Sequence, residues 1–250
     1  MDVNCVLVQG RERCLLVDTG STAEEGQRLR TAALEIAAGR ELVVVNTHAH
    51  YDHCFGNSAF EGTPIWASAG CAKDLRETGA RQRQLAAAEW EPKDPAFARA
   101  LGAAPLALPT NEVEVRARLE LGGLSVELEA VGRGHTDHDL VAFLPQPRVL
   151  IAGDLVEESG PPALEDCWPF SWPKVLRRLL GWEPLTIVPG HGRVVGPEFV
   201  RRQLGELEEL AAWCLASLET RRGGRGPALW SEAELRSALA RAAVEKASPG

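Results

Sequence analysis

Runs of apolar residues broken by turn signals lay out short strands at the start of the chain. Val3–Val8 is apolar-rich, Gly10-Arg11 is a turn signal, and Cys14-Leu15-Leu16-Val17 is a second apolar run, so a β-hairpin is expected. Ser21-Thr22-Ala23-Glu24 has capping-box spacing and predicts a helix starting near Thr22 and stopping at Gly39. Leu42-Val43-Val44-Val45 is continuously apolar, the pattern of a strand buried on both faces. Gly70–Thr110 is rich in alanine and charge, with prolines at 92, 95 and 105, and reads as short surface helices joined by loops. Strands follow at Glu112–Leu119 and Leu124–Val131, joined around Gly122-Gly123, and then at Val141–Leu144, Val149–Ala152 and Leu185–Val188.

The carboxyl end changes period. Pro197 suits a first helical position. Val200, Leu204, Leu207, Ala211, Cys214 and Leu218 then recur at alternating steps of four and three, one core-facing stripe. Arg221–Pro227 reads as a glycine-rich hinge, and Ser231-Glu232-Ala233-Glu234 is a capping box opening a last helix. The pairs Arg177-Arg178, Arg201-Arg202 and Arg221-Arg222 read as solvated faces. Strands mixed with helices, with no break in composition, predict one α/β domain over residues 1–220. Residues 221–250 add a hinge and a helix packed on or beside it.

Composition narrows the function classes. The 250 residues are 45% hydrophobic and 25% charged, enough apolar surface to offset the entropy of ordering. The net charge of -8 has the wrong sign for displacing counterions from phosphates, so no nucleic-acid partner is expected. No apolar run approaches membrane-spanning length, and no membrane partner is expected. Met1–Cys5 carries no signal-peptide pattern, and the six cysteines form no C-x-x-C pair. Reduced thiols in a cytoplasmic protein are the expectation, with the oligomeric state left open.

The six histidines carry the chemistry. His48 and His50, two apart, point the same way in an extended segment, and Asp52 and His53 follow within three residues. These are four good ligands for a borderline metal just beyond a buried strand. Asp154 ends the apolar run Val149–Gly153, and His191 ends Thr186–Gly190. His135 sits in Gly134-His135-Thr136. Ligands offered at several strand ends can converge on one cleft. Seven groups exceed one tetrahedral ion and suit two ions sharing a bridge.

His48-x-His50-x-Asp52-His53, Gly134-His135-Thr136, Gly153-Asp154 and Pro189-Gly190-His191-Gly192, with the early Asp18-Thr19-Gly20 turn, resemble the metallo-β-lactamase superfamily. The resemblance covers about residues 3–200 and implies a four-layer αββα sandwich with the metal cleft at one edge. It implies a first divalent ion on His48, His50 and His135, a second on Asp52, His53 and His191, and Asp154 bridging both. Zinc is the expected metal, with iron or manganese as alternatives. Asp154 stands where the commonest class B β-lactamases carry cysteine. Hydrolases of glyoxalase II, lactonase and RNase Z type carry aspartate there, which points away from antibiotic hydrolysis.

The implied reaction is hydrolysis of a small ester, thioester or lactone by a hydroxide held between two ions, with Asp52 and Asp154 as catalytic residues. Asp18 reads equally as a support for a ligand histidine and as a turn aspartate. His138 is a candidate pocket or proton-shuttle residue, with a polar supporting role as the plainer reading. Trp168 and Trp172, in the aromatic segment 157–173, are candidates for a pocket wall or for anchors of their loop. Three other functions fit the resemblance. One is a mononuclear iron persulfide dioxygenase using positions matching His48, His135 and Asp154. The others are a nuclease, disfavoured by the acidic balance, and a non-catalytic scaffold, disfavoured by the complete ligand set.

Overall fold

The computed structural model describes residues 3–220 and 225–248. The hinge expected at Arg221–Pro227 and the Arg221-Arg222 pair thus lie partly or wholly outside the described residues. Strands β1 (Val6–Gln9), β2 (Arg13–Val17), β3 (Glu41–Val45), β4 (Ile65–Ser68) and β5 (Asn111–Val113) form one sheet in that order. Strands β6 (Arg116–Glu120), β7 (Ser125–Gly132), β8 (Asp139–Leu144), β9 (Val149–Glu157) and β10 (Thr186–His191) form a second. The seven α-helices among the described residues are α1 (Ala23–Ala37), α2 (Tyr51–Cys54), α3 (Ala69–Trp90), α4 (Pro95–Ala103), α5 (Trp172–Leu180), α6 (Pro197–Thr220) and α7 (Glu232–Ala247).

Period-two alternation divides each strand between two interfaces. Leu15 and Val17 of β2 and Val43 and Val45 of β3 face the second sheet, against Val126, Leu128, Leu140, Ala142, Ile151 and Val188. Cys14, Leu16, Leu42 and Val44 face the other way, against Ala33 and Ala37 of α1. On the far side, Leu150, Ala152 and Ile187 pack under Leu176 of α5 and Val200, Leu207 and Cys214 of α6. Strands buried on both faces are what the continuous apolar runs anticipated, and the result is the αββα sandwich. None of the six cysteines is disulfide-bonded. No helix among the described residues is long and apolar enough to cross a membrane.

Two expectations need correction, and two elements were not anticipated. Glu112–Leu119 is not one strand. It divides into β5 and β6 in different sheets, with Val115 exposed at the corner. Val113 and Leu119 both face the inter-sheet core, so a bent path keeps the same alternation as a straight one. Gly70–Thr110 holds the 22-residue helix α3 followed by the short helix α4, and not short helices alone. Ser68 caps it, accepting from Cys71 N, and its buried stripe of Cys71, Ala72, Leu75, Gly79 and Ala86 is too small-sided to stand out as apolar. Strand β4 has only four residues beside Pro64 and was not anticipated. Helix α5 emerges from the aromatic loop, burying Trp172, Val175, Leu176 and Leu179 on one face.

The parallel strands β2 and β3 end side by side, and their exits carry Asp18 and Asn46-Thr47-His48. Asp18 N donates to Val45 O (2.8 Å) and Thr19 N to His53 O (2.8 Å), which ties the Asp18 turn to the histidine loop. Beneath that loop Asn46 and Asn57 exchange side-chain hydrogen bonds of 3.0 and 2.8 Å. Gly56 closes the contact: its N–H donates to Gly20 O (2.9 Å), and a Cβ there would overlap the Thr19 carbonyl oxygen. Gly56→Ala is expected to lower stability by about 2 kcal/mol through overpacking. Denaturant unfolding of the two proteins checks this, and equal midpoints would contradict it.

Candidate metal centre

Each of the seven candidate ligand side chains stands at a place the backbone has fixed. His48 and His50 follow β3, and Asp52 and His53 lie in the single turn α2. His135 lies in the turn between β7 and β8, where Thr136 is held by Asp139 through Oγ1 (2.6 Å) and N–H (3.0 and 3.1 Å). Asp154 is within β9 and His191 ends β10. The register of β9 and β10 shifts at Pro189, and Gly190 passes so close to Asp154 that a Cβ would overlap its Oδ1. That close approach explains the glycine before His191.

The structure brings all seven groups together. His48, His50, His135 and Asp154 offer atoms within 4.8 Å of one another, as do Asp52, His53 and His191. A tetrahedral ion with bonds near 2.1 Å separates its ligand atoms by roughly 3.4 Å. In the first group His135 Nε2 lies 3.1 Å from His50 Nδ1. Asp154 Oδ2 lies 3.7 Å from His48 Nε2 and 3.6 Å from His135 Nε2. In the second, His191 Nε2 lies 3.3 Å from Asp52 Oδ2 and 3.4 Å from His53 Nε2. Asp154 reaches both groups, with Oδ1 3.2 Å from His53 Nε2 and Oδ2 3.4 Å from His191 Nε2.

Hydrogen bonding fixes which nitrogens face the cluster. Thr47 Oγ1 donates its single proton to Asp18 Oδ2 (2.8 Å), so it accepts from His48 Nδ1 (3.0 Å). The His48 Nε2 lone pair then points into the cluster, buried and without a hydrogen-bond partner. His53 Nδ1 donates to the same Asp18 oxygen (2.8 Å), and His50 Nε2 donates to Asp166 Oδ2 (3.0 Å). A carboxylate or hydroxyl behind each ring is how proteins aim imidazoles at a cation. Asp18 is therefore a support for His53 and, through Thr47, for His48.

Not every candidate joins the cluster. His138 is buried beside it, accepting from Ala49 N at Nε2 (3.2 Å) and donating from Nδ1 to Asp137 (2.7 Å). Both nitrogens are occupied, so His138 pins the loop between His48 and His50. Trp172 is fully buried, donating to Leu155 O (3.1 Å), with its ring 5.6 Å from that of His135. Trp168 is buried between Arg133 and Arg241, 4.1 and 4.7 Å from its ring. Both tryptophans are buried and anchor their loop. Sequence reading missed Asp166, Thr47 and Glu157. Thr47 adjoins a ligand and was open to inspection, whereas Asp166 lies 116 residues from His50 and gave no signal.

Electrostatics separates the groups by what they face. Burial depresses the pKa of His48 far below the usual range, and that of His135 to about 4. Burial also opposes charge on His50 and His191, but Asp166 raises the first to about 9, and Asp154 with Asp52 raise the second to about 10. Burial alone would raise the Asp52 and Asp154 carboxyls; His53 and His191 hold them below the usual range. Glu157, buried near Asp154 and 3.7 Å from His135 Nδ1, is pushed up to about 8. The cluster is closed around His48, His53 and His135 and opens toward solvent at His50 and His191. His50, His53 and His191 must shed a proton to serve as ligands, so metal uptake is expected to release protons and to tighten as pH rises from 6 to about 10. Calorimetry in buffers of different ionisation enthalpy checks this, and uptake independent of pH and buffer would contradict it.

Comparison with known proteins agrees with this geometry. The family model described as the metallo-beta-lactamase superfamily matches residues 1–191. A metallo-beta-lactamase type 2 from Bacillus cereus is 27% identical over 158 residues, 60% of this chain and 52% of that protein. One from Bacillus sp. (strain 170) matches at 27% over 60% of this chain and 51% of its own length, so the chain spans about half the length of these curated relatives. Among solved structures, a metallo-beta-lactamase from Pontibacter korlensis superposes with TM-score 0.68 at 23% identity, covering 82% of this chain and 87% of that one. The structure of TMB-1 gives 0.65 at 21%, covering 82% and 85%. A family match over most of the chain, an αββα sandwich and two His/Asp groups that fit the family's metal sites carry one conclusion: this chain belongs to the metallo-β-lactamase superfamily.

Proposed function

We propose that the protein is a binuclear zinc hydrolase acting on a small ester, thioester or lactone. The observation that carries the reading is Asp154, whose carboxylate lies within 3.2–3.7 Å of nitrogens from both ligand groups. His48, His50 and His135 would hold one ion, Asp52, His53 and His191 the other, and Asp154 both. When bound, the ions would supply Lewis acidity and lower the pKa of a water toward neutrality.

The chain's own residues do the rest. Asp18 and Asp166 keep His53, His48 and His50 aimed inward. Asp52, on the turn α2, has its Oδ2 against His191 and can orient the attacking water and hold its proton. Burial of His48, His53 and His135 excludes solvent from the inner side, so substrate enters past His50 and His191. A cavity of about 400 Å³ is lined by Val3, Cys5, Gly20, Ser21, Arg28 and Leu29. Val3 pairs with His191 and Gly20 follows Asp18 by two residues, but none of the seven candidate ligands lines this cavity.

Asp154 also bears on substrate. The curated relatives are named as β-lactamases. Aspartate at this bridging position favours the ester, thioester and lactone hydrolases over that activity, and a cytoplasmic setting fits the unpaired cysteines. The test is a hydrolysis screen of esters, thioesters, lactones and phosphodiesters with wild-type protein, chelator-treated protein and Asp154→Ala. Hydrolysis of the first three classes is expected, falling at least a hundredfold after chelation or in Asp154→Ala. Full activity in either, or cleavage of phosphodiesters alone, would overturn the assignment.

A further inference from the structure

Contacts around His50 and the His135 turn of the first group run to a part of the chain that lies outside the family match. Asp166 orients His50, and it opens a six-residue stretch, 166–171, that leads into α5. Helix α7, beyond the family match that ends at residue 191, holds this stretch at four points. Arg241 Nε donates to Cys167 O (3.1 Å), and its guanidinium lies 4.7 Å from the Trp168 ring. Glu245, a buried carboxylate, accepts from Phe170 N (2.9 Å) and from Ser171 Oγ.

The same helix reaches the His135 turn. Arg133, two residues before His135, donates to Ser248 O (2.7 Å) just past the end of α7. Its guanidinium lies 4.1 Å from the Trp168 ring, while Trp168 N donates to Gly134 O (2.9 Å). Trp168 is thus clamped between the His135 turn and α7. The second group has other supports: Asp18 behind His53, and Asn4, whose Nδ2 donates to Pro189 O (2.9 Å) and Gly192 O (2.8 Å) around His191.

We propose that α7 is a positioning element for the metal centre, with Glu245 and Arg241 fixing the 166–171 stretch so that Asp166 holds His50 in ligating orientation. The inference rests on the reading of the seven groups as a metal centre. Loss of Glu245 frees Phe170 N and Ser171 Oγ, the stretch relaxes, and the carboxylate behind His50 is no longer held. Outer hydrogen-bond partners of metal-binding histidines change affinity by about 10–100-fold.

The experiment is a double-mutant cycle on zinc affinity, read by chelator competition on the full chain, with melting temperature in parallel. Asp166→Asn and Glu245→Ala are each expected to weaken zinc binding about tenfold or more. Because Glu245 acts through Asp166, the double variant should bind zinc no more weakly than Asp166→Asn alone. Glu245→Gln, which keeps the side-chain volume and one acceptor, should show the same pattern with a smaller loss and serves if Glu245→Ala does not fold. A Glu245 variant that melts earlier but keeps wild-type zinc affinity would overturn the proposal, as would a loss that adds in full to that of Asp166→Asn. Wild-type chain that takes up no zinc would instead remove the metal-centre reading itself.

Discussion

Three carboxylates, Asp18, Asp52 and Asp154, are buried within one cluster at the edge of the sandwich. An isolated carboxylate in such a place carries a desolvation penalty of several kcal/mol. Every nearby element supplies something to offset it. His53 sits between Asp18 and Asp154, His191 between Asp52 and Asp154, and Thr47 ties both its hydroxyl and its N–H to Asp18. The surrounding carboxylates raise the pKa of His53 and His191, which favours protons on these rings as the offsetting charge. A divalent ion would supply that charge directly and would use the lone pair of His48 Nε2, which nothing among the described residues satisfies.

The sandwich is built to make this cluster possible. Two sheets whose inner faces interlock bring the ends of β2 and β3 from one sheet against β9 and β10 of the other. His53 and His191, 138 residues apart in sequence, then meet at 3.4 Å because the exits of β3 and β10 open onto the same edge. Close backbone approach is part of the design. Gly56 lets the histidine loop settle on the Asp18 turn, and Gly190 lets His191 pass Asp154. The two groups are braced from opposite ends of the chain: Asn4 and Asp18 brace His191, His53 and, through Thr47, His48, while the stretch that α7 contacts carries Asp166 behind His50.

Much of this was legible in the sequence because the signals are local. His48-x-His50-x-Asp52-His53 fits six residues, and the glycines beside His135, Asp154 and His191 mark close approach within one turn. Continuous apolar runs at β3 and β9 announced strands buried on both faces. What escaped was set by distance or by the limits of periodicity. Asp166 acquires its role only when its loop folds over His50, and nothing in Leu164-Glu165-Asp166 distinguishes it from a surface aspartate. The division of 112–119 between two sheets was invisible because a bend between inner faces leaves alternation intact. Helix α3 buries alanine, glycine and cysteine, so its stripe carried little apolar contrast. The roles of Trp168 and Trp172 turned on what surrounds them, two guanidiniums for one and the core for the other.

The central claim is that the seven groups form one site for two ions. Elemental analysis of protein purified without added metal tests it most directly. The account predicts about two zinc ions per chain, or two manganese ions in their place. About one iron per chain would contradict it in favour of mononuclear, oxygen-using chemistry, and protein that carries little metal and gains none on reconstitution would contradict it outright.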